Sequence, residues 1–218
     1  MVDAALLART PFFAGLDAAA VEAVAGLCKN RDLKRNDVLF REGEDATELF
    51  VVERGRVAIA NRSEDGRESL VALMEAGDLF GEMGLFDGIR SADARALETS
   101  KVVAVPYAPL REALDRQPSA LWSVVELLAR RIRAVDEALA DTVFLDVPGR
   151  TAKRLLELAG EGDQFQLPVT QEELAAMVGA SRERVNKAIS QFVRLGWLEQ
   201  QDRVYRIVNR EQLTRRAR

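Results

Sequence analysis

Histidine is absent from these 218 residues, and cysteine occurs once, at Cys28. A lone cysteine cannot close a disulfide within the chain, and an iron–sulfur cluster on cysteine ligands is not expected. Without histidine, the usual zinc, haem and facial-triad iron sites lose their commonest ligand. No metal, haem or cluster is therefore expected, and a metal-dependent enzyme has little to work with. Long apolar runs are missing too. No stretch approaches 18 consecutive apolar residues, so no membrane span is expected. The N-terminus lacks the basic segment and long apolar run of a signal peptide, and the expectation is a cytoplasmic protein. Cys28 stands beside Lys29 and reads either as a redox-active thiol or, more plainly, as a buried or incidental one.

What is present is a globular composition, 48% hydrophobic, with a net charge of −4. That total hides an asymmetry. From Asp146 to Arg218 there are 13 Lys+Arg against 10 Asp+Glu, a net of +3, which leaves −7 for the remainder. An acidic front joined to a mildly basic back suits a sensor coupled to a nucleic-acid reader.

The most informative stretch is Thr170 to Glu199. Thr170 precedes an acidic first turn with Glu172 and Glu173, which is N-cap chemistry. Gly179-Ala180 then forces a sharp turn, and Ser181 caps a second helix. That helix places Val185, Ala188, Ile189 and Phe192 on one face, with Arg182, Glu183, Asn186 and Lys187 largely on the other. A charged face of this kind suits a solvated helical hairpin. It also suits base reading, since Arg and Lys donate to guanine O6/N7 and Glu accepts from cytosine N4. The turn glycine, the short first helix and the small Ala175 facing the partner favour a helix-turn-helix.

Upstream, residues 2–29 read as short helices, with Asp17 capping a stripe of Val21, Val24 and Leu27. From about Leu33 to Pro106, short β-branched and aromatic runs alternate with glycine turns: 38–40, 49–52, 57–59 running to an Asp65-Gly66 turn, 70–73 and 102–105. Turn signals every ~11 residues predict a jelly-roll-like β domain. Within it, GDLFGEMGLFDGIRSADARA (77–96) holds four glycines, Glu82 and Arg90-Ser91. A helical turn after Gly81 would offer backbone N–H groups to an anion, with Arg90 and Ser91 as donors and Glu82 as acceptor for a sugar hydroxyl. The alternative is an Arg90–Glu82 ion pair closing a β-loop.

Residues 107–118 read as a polar connector with Pro109 and Pro118. A long helix follows from about Ser119 to Thr142. Leu121, Val125, Leu128, Ile132, Val135, Leu139 and Thr142 alternate spacings of four and three, a heptad seam that favours a two-chain coiled coil over simple packing on the β domain. Phe144–Arg150 is a hinge, with Asp146 and Pro148 opening the next helix. Gly160–Gln166 reads as a polar loop. A hairpin around Gln200-Gln201-Asp202 completes a winged helix, and the tail from Arg210 is basic.

SRERVNKAISQFVRLGW resembles the recognition helix of the cyclic-AMP receptor protein/FNR family of bacterial transcription regulators, and the likeness extends over nearly the whole chain. The 77–96 segment resembles the phosphate-binding cassette of cyclic-nucleotide-binding domains. By that resemblance Gly81 and Glu82 hold backbone and ribose 2′-hydroxyl, Arg90 and Ser91 hold the cyclic phosphate, and Met83 contributes backbone. The family's polar adenine-contacting pair falls at Val135 and Asp136, a departure, with Arg131 one turn earlier near the pocket. The resemblance implies an α+β fold in three parts. These are a β jelly-roll sensor (1–118), a dimerisation helix and hinge (119–145), and a winged helix-turn-helix domain (146–218). It implies a homodimer on double-stranded DNA, with RNA polymerase as a partner, no catalytic residues, and a palindromic, TGTGA-like target. Arg182, Glu183 and Lys187 would read bases, while Thr170, Ser181 and Arg184 would hold phosphates. Cyclic AMP leads as effector, with cyclic GMP, a dinucleotide or no ligand as alternatives. The oxygen- and haem-sensing branches are excluded by ligand chemistry.

Overall fold

A computed structural model describes residues 2–63 and 68–218. The chain forms two compact units, Met1–Ile132 and Arg133–Arg218. The Asp65-Gly66 turn lies outside the described residues.

The first unit opens with α1 (Ala4–Arg9), a 3-10 turn (Pro11–Phe13) and α2 (Ala18–Ala25), capped by Asp3 and Asp17 side chains. Eight strands follow: β1 (Lys29–Leu33), β2 (Val38–Phe40), β3 (Glu48–Arg54), β4 (Val57–Arg62), β5 (Glu68–Met74), β6 (Leu79–Phe80), β7 (Asp93–Ala96) and β8 (Ser100–Pro106). Between β6 and β7 stands one helical turn, α3 (Gly84–Asp87). Two antiparallel sheets, in orders β1-β8-β3-β6 and β2-β7-β4-β5, face each other.

Strand alternation explains the continuous apolar runs. Phe50, Val52, Val102 and Ala104 point into the sandwich, where Phe40, Phe50 and Phe80 stack at 5.4–6.2 Å between ring centroids. Their neighbours Leu49, Val51, Val103 and Val105 point the other way, onto the N-terminal helices. A sheet covered on both faces reads as unbroken hydrophobic sequence.

Two features here depart from expectation. Strand β1 begins at Lys29, not near Leu33; four of its five residues are exposed, so no alternation marks it. Residues 107–116 are not a connector but a helix, α4 (Tyr107–Arg116). Its Pro109 sits in the first turn, where a missing N–H costs nothing, and Tyr107, Leu110, Ala113 and Leu114 are buried at helical spacing.

A 3-10 turn (Pro118–Ala120) leads into α5 (Leu121–Phe144), shifted two residues from the expected bounds. Val124 is its one fully buried residue, packed in the first unit's core. The heptad seam is largely bare: Leu121, Val125, Ile132, Val135 and Leu139 are 43–62% exposed, while Leu128 is half-buried against the first unit's core.

The second unit continues with α6 (Val147–Ala159), β9 (Gln164–Gln166), α7 (Gln171–Val178), α8 (Arg182–Arg194), β10 (Leu198–Gln201), β11 (Val204–Ile207) and α9 (Arg210–Arg216). Leu155, Leu174, Val185, Ile189, Phe192, Leu198 and Tyr205 are among its buried residues. The expected Gly160–Gln166 loop ends in a strand, because β9 pairs with β11 and extends the hairpin to three strands. The bend between α5 and α6 is fastened several times. Asp141 pairs with Lys153 at 2.6 Å, Arg150 donates to the carbonyls of Leu145 and Val178, and Asp146 caps α6 while holding Arg216. The Arg216 hydrogen bond holds the Asp146 carboxyl below the usual carboxylate range.

The tightest spot around α3 is Gly84, where an added Cβ would meet the Ala46 Cβ at 2.4 Å and the Tyr107 hydroxyl at 2.8 Å. Gly84→Ala should therefore cost about 1–3 kcal/mol through overpacking. Thermal unfolding checks this, and an unchanged midpoint would contradict the close approach.

Candidate functional site

The 77–96 segment folds into a pocket at the end of the sandwich. Gly81 turns the chain after β6 with φ 78°, a left-handed value that suits glycine. A Cβ there would also lie 2.7 Å from the Arg90 guanidinium. The chain then places Glu82 inward, runs through α3, and returns at Arg90 and Ser91.

Glu82 is 1% exposed, and neither carboxylate oxygen has a hydrogen bond among the described residues. The charge it meets is Arg131, whose Nε lies 3.1 Å from Oε1 without hydrogen-bond alignment. Arg131 also donates to the Leu79 carbonyl at 2.6 Å. Burial pushes the Glu82 pKa up, while Arg131 pulls the other way. The ion pair considered from sequence, Arg90–Glu82, does not form; Arg131 takes that place.

Arg90 is also buried. Its guanidinium lies 4.0 Å over the Phe40 ring, and Nη1 reaches the Gly81 carbonyl at 3.4 Å and the Tyr107 hydroxyl at 3.3 Å. The Tyr107 hydroxyl donates in turn to the Gly81 carbonyl. Arg90 Nε has no partner, and burial lowers the pKa of the group. Met83 and Ser91 are exposed at the rim. Tyr107 was missed in sequence because it closes an apolar strand just where a connector was expected.

The pocket thus holds an unsatisfied carboxylate, an arginine with a spare N–H and a serine hydroxyl beside it. Such a set accepts from a hydroxyl and donates to an anion. The cavity itself is about 40 Å³, room for a few waters. A nucleotide would have to displace Arg131 or open the walls. Val135 and Asp136 are exposed on α5, four and five residues beyond Arg131, within the second unit.

In that second unit, α7 and α8 meet at Gly179, which is left-handed at φ 67°. Thr170 and Glu173 form a full capping box, with N–H to oxygen distances of 3.2 and 2.6 Å. The T-x-x-E spacing was the available signal for it. Ser181 accepts from the Arg184 N–H at 3.4 Å. Ala175 is buried under α8's apolar face, as its size requires.

The polar face of α8 is chemically idle within the fold. The side chains of Arg182, Glu183, Arg184 and Lys187 are exposed and have no intramolecular partner among the described residues. Other basic groups nearby are committed. Arg203 donates to the carbonyls of Leu167 and Val169, Arg206 is bidentate to Glu199, and Arg210 and Arg215 hold Asp163 and Glu211. The basic tail is therefore mostly spent on internal contacts.

No helix of the described residues is long and apolar enough to cross a membrane. Residues 30–117 match the cyclic nucleotide-binding domain family, and residues 149–216 match the Crp-like helix-turn-helix domain. The chain is 38% identical to a CRP-like cAMP-activated global transcriptional regulator of Mycobacterium tuberculosis, over 98% of this chain and 99% of that protein. It is 33% identical to the cAMP-activated global transcriptional regulator CRP of Haemophilus influenzae, over 74% and 76% of the two chains. Its fold resembles that of the c-di-GMP responsive global regulator CLP of Xanthomonas campestris, with TM-score 0.76, 25% identity, and 88% and 99% coverage. These relatives are transcription regulators, not enzymes. With a nucleotide-binding domain in front, a helix-turn-helix behind and a relative matched end to end, the chain belongs to the cyclic-AMP receptor protein/FNR family of DNA-binding transcription regulators.

Proposed function

We propose that this regulator is a cytoplasmic homodimer gated by a cyclic nucleotide, with residues 1–118 as sensor, 119–145 as spine and 146–218 as reader. The observation that carries the reading is Glu82, a buried carboxylate with two unfilled acceptor sites, in a cavity that also contains the buried guanidinium of Arg90. A ribose 2′-hydroxyl satisfies Glu82; a cyclic phosphate takes Arg90, Ser91 and the backbone of Gly81 and Met83. Entry displaces Arg131 from Glu82. Arg131 belongs to α5, so binding acts on the helix whose bare seam joins a second copy. A ligand shifts a population only by favouring one arrangement over the other.

The names of the Mycobacterium and Haemophilus relatives support cyclic AMP as effector. Val135 offers no hydrogen bond to a base, whereas Asp136 accepts from an exocyclic amine of adenine or guanine. The altered pair favours a second reading, a regulator that responds to a dinucleotide, and the small cavity favours one that needs no ligand. The c-di-GMP responsive regulator CLP of Xanthomonas, similar in fold, makes the dinucleotide form concrete.

In the dimer, two α8 helices enter major grooves about one DNA turn, ~34 Å, apart on a palindromic, TGTGA-like target. Arg182 and Lys187 donate to guanines and Glu183 accepts from cytosine, while Thr170, Ser181 and Arg184 hold phosphates. RNA polymerase is the partner that turns occupancy into regulation.

Calorimetric titration with cyclic AMP, cyclic GMP and cyclic di-GMP tests the gate. One of them should bind the wild type and strengthen its DNA binding, and Arg90→Leu should lose both effects while keeping its melting transition. DNA affinity indifferent to all three would favour the constitutive reading.

Glu82→Gln separates pocket function from stability. Because burial raises the Glu82 pKa in the fold above its unfolded value, the folded state holds the proton to higher pH. Ligand-free stability then falls as pH rises through that interval, and Gln, which cannot ionise, escapes the fall. Near neutral pH the ligand-free variant should melt above the wild type, while its nucleotide affinity drops at least ~10-fold. Matching pH–melting profiles for the two proteins would count against this.

Arg182→Ala should cost about 1–3 kcal/mol of DNA affinity and relax discrimination at one base position. Binding over all single-base variants is the measurement, and a uniform loss at every position would mark Arg182 as a phosphate contact instead.

A further inference from the structure

Helix α8 carries a polar side chain that the guanine, cytosine and phosphate assignments leave unused. Successive residues of an α-helix are about 100° apart around its axis. With Arg182 as origin, Asn186 falls about 40° round, Glu183 about 100° and Lys187 about 140°. The buried Val185, Ala188, Ile189 and Phe192 occupy the opposite arc, from about 240° to about 340°. Asn186 therefore lies inside the arc bounded by Arg182 and Lys187, not on its flank. It is partly exposed, and its carboxamide has no hydrogen-bond partner among the described residues.

The chemistry of that position is different from its neighbours'. Arginine and lysine only donate, and an ionised glutamate only accepts. Asparagine presents one acceptor and one donor side by side at the end of a short stem. In the major groove, guanine shows two adjacent acceptors, N7 and O6, while adenine shows an acceptor, N7, beside a donor, the N6 amino group. A side-by-side donor and acceptor matches adenine and mismatches guanine. A phosphate offers acceptors only and would leave the Asn186 carbonyl oxygen unused. The short side chain also requires close approach, which the middle of the reading face has and its edges lack.

We propose that Asn186 reads an adenine, Oδ1 accepting from N6–H and Nδ2 donating to N7, and so imposes an A·T requirement next to the base pair taken by Arg182. The assignment rests on α8 being the base-reading helix, and it adds a specificity element beyond the guanine and cytosine contacts.

The test uses the full-length protein, alone and with added cyclic AMP, cyclic GMP or cyclic di-GMP. A half-site is first obtained by selection from a random duplex pool. Each adenine of that half-site, on either strand, is then replaced in turn by 7-deazaadenine, which lacks N7 but keeps Watson–Crick pairing. At one adenine the replacement should weaken wild-type binding about 2- to 10-fold. Asn186→Ala should bind the natural duplex about 5- to 100-fold more weakly and be indifferent to the analogue at that adenine. Arg182→Ala should remain sensitive there. The proposal is overturned if no adenine replacement affects the wild type, or if Asn186→Ala keeps the wild-type sensitivity. A pool that yields no bound duplex would instead remove the base-reading role of α8 itself, and Asn186's with it.

Discussion

The contact on which the sensor depends is the one between Glu82 and Arg131. A carboxylate at 1% exposure, facing a guanidinium 3.1 Å away but bonded to nothing, is an expensive arrangement. Desolvation of the charge exceeds what a misaligned partner returns, which is why the carboxyl holds its proton more tightly than in water. Proteins tolerate such groups where the cost is recovered by a ligand. Gly81 and Gly84 allow backbone and side chains to crowd around the site, Tyr107 ties the Gly81 carbonyl to Arg90, and the stacked Phe40 supports the guanidinium from below. The pocket is thus built tightly around groups that remain unsatisfied, the Glu82 carboxylate and the Nε of Arg90 and of Arg131.

The second unit follows a different economy of charge. Its arginines outside α8 are largely engaged: they close the wing, fasten the tail and brace the bend before α6. Those of α8 are left exposed beside a glutamate of opposite sign that none of them pairs with. A purely electrostatic grip on DNA would not need that glutamate, because phosphates repel it. Mixed donors and acceptors on one helix face serve recognition of base edges, where both kinds of group are displayed.

Much of this was readable in the chain. The helix-turn-helix was visible because Thr170, Gly179 and Ser181 are local signals whose chemistry acts within a few residues. The α5 seam was visible because a period persists over many turns, but which of its residues stay exposed and which, like Leu128, pack on the core was not. What was hidden lacked either feature. Strand β1 is polar and owes its conformation to pairing with β8; β9 is three residues held by β11; α4 looked like a connector because its Pro109 falls in a turn that tolerates proline. The roles of Tyr107 and Arg131 depend on side chains 26 and 49 residues away from their partners Gly81 and Glu82 in sequence. No local pattern encodes such distances.

The sequence by itself determined the kinds of chemistry available: no histidine or cysteine set for a metal, a Gly-Glu and Arg-Ser pair for an anion with hydroxyls, and a helix face of bare donors and acceptors. These follow from residue identity and short-range spacing. Tertiary structure alone decided that Arg131, not Arg90, meets Glu82, that the resulting cavity is about 40 Å³, and that the arginines of α8 stay free while Arg210, Arg215 and Arg216 of the tail do not. Burial and partner choice are properties of packing, since desolvation and ion pairing depend on what the fold brings near a group and not on its neighbours along the chain.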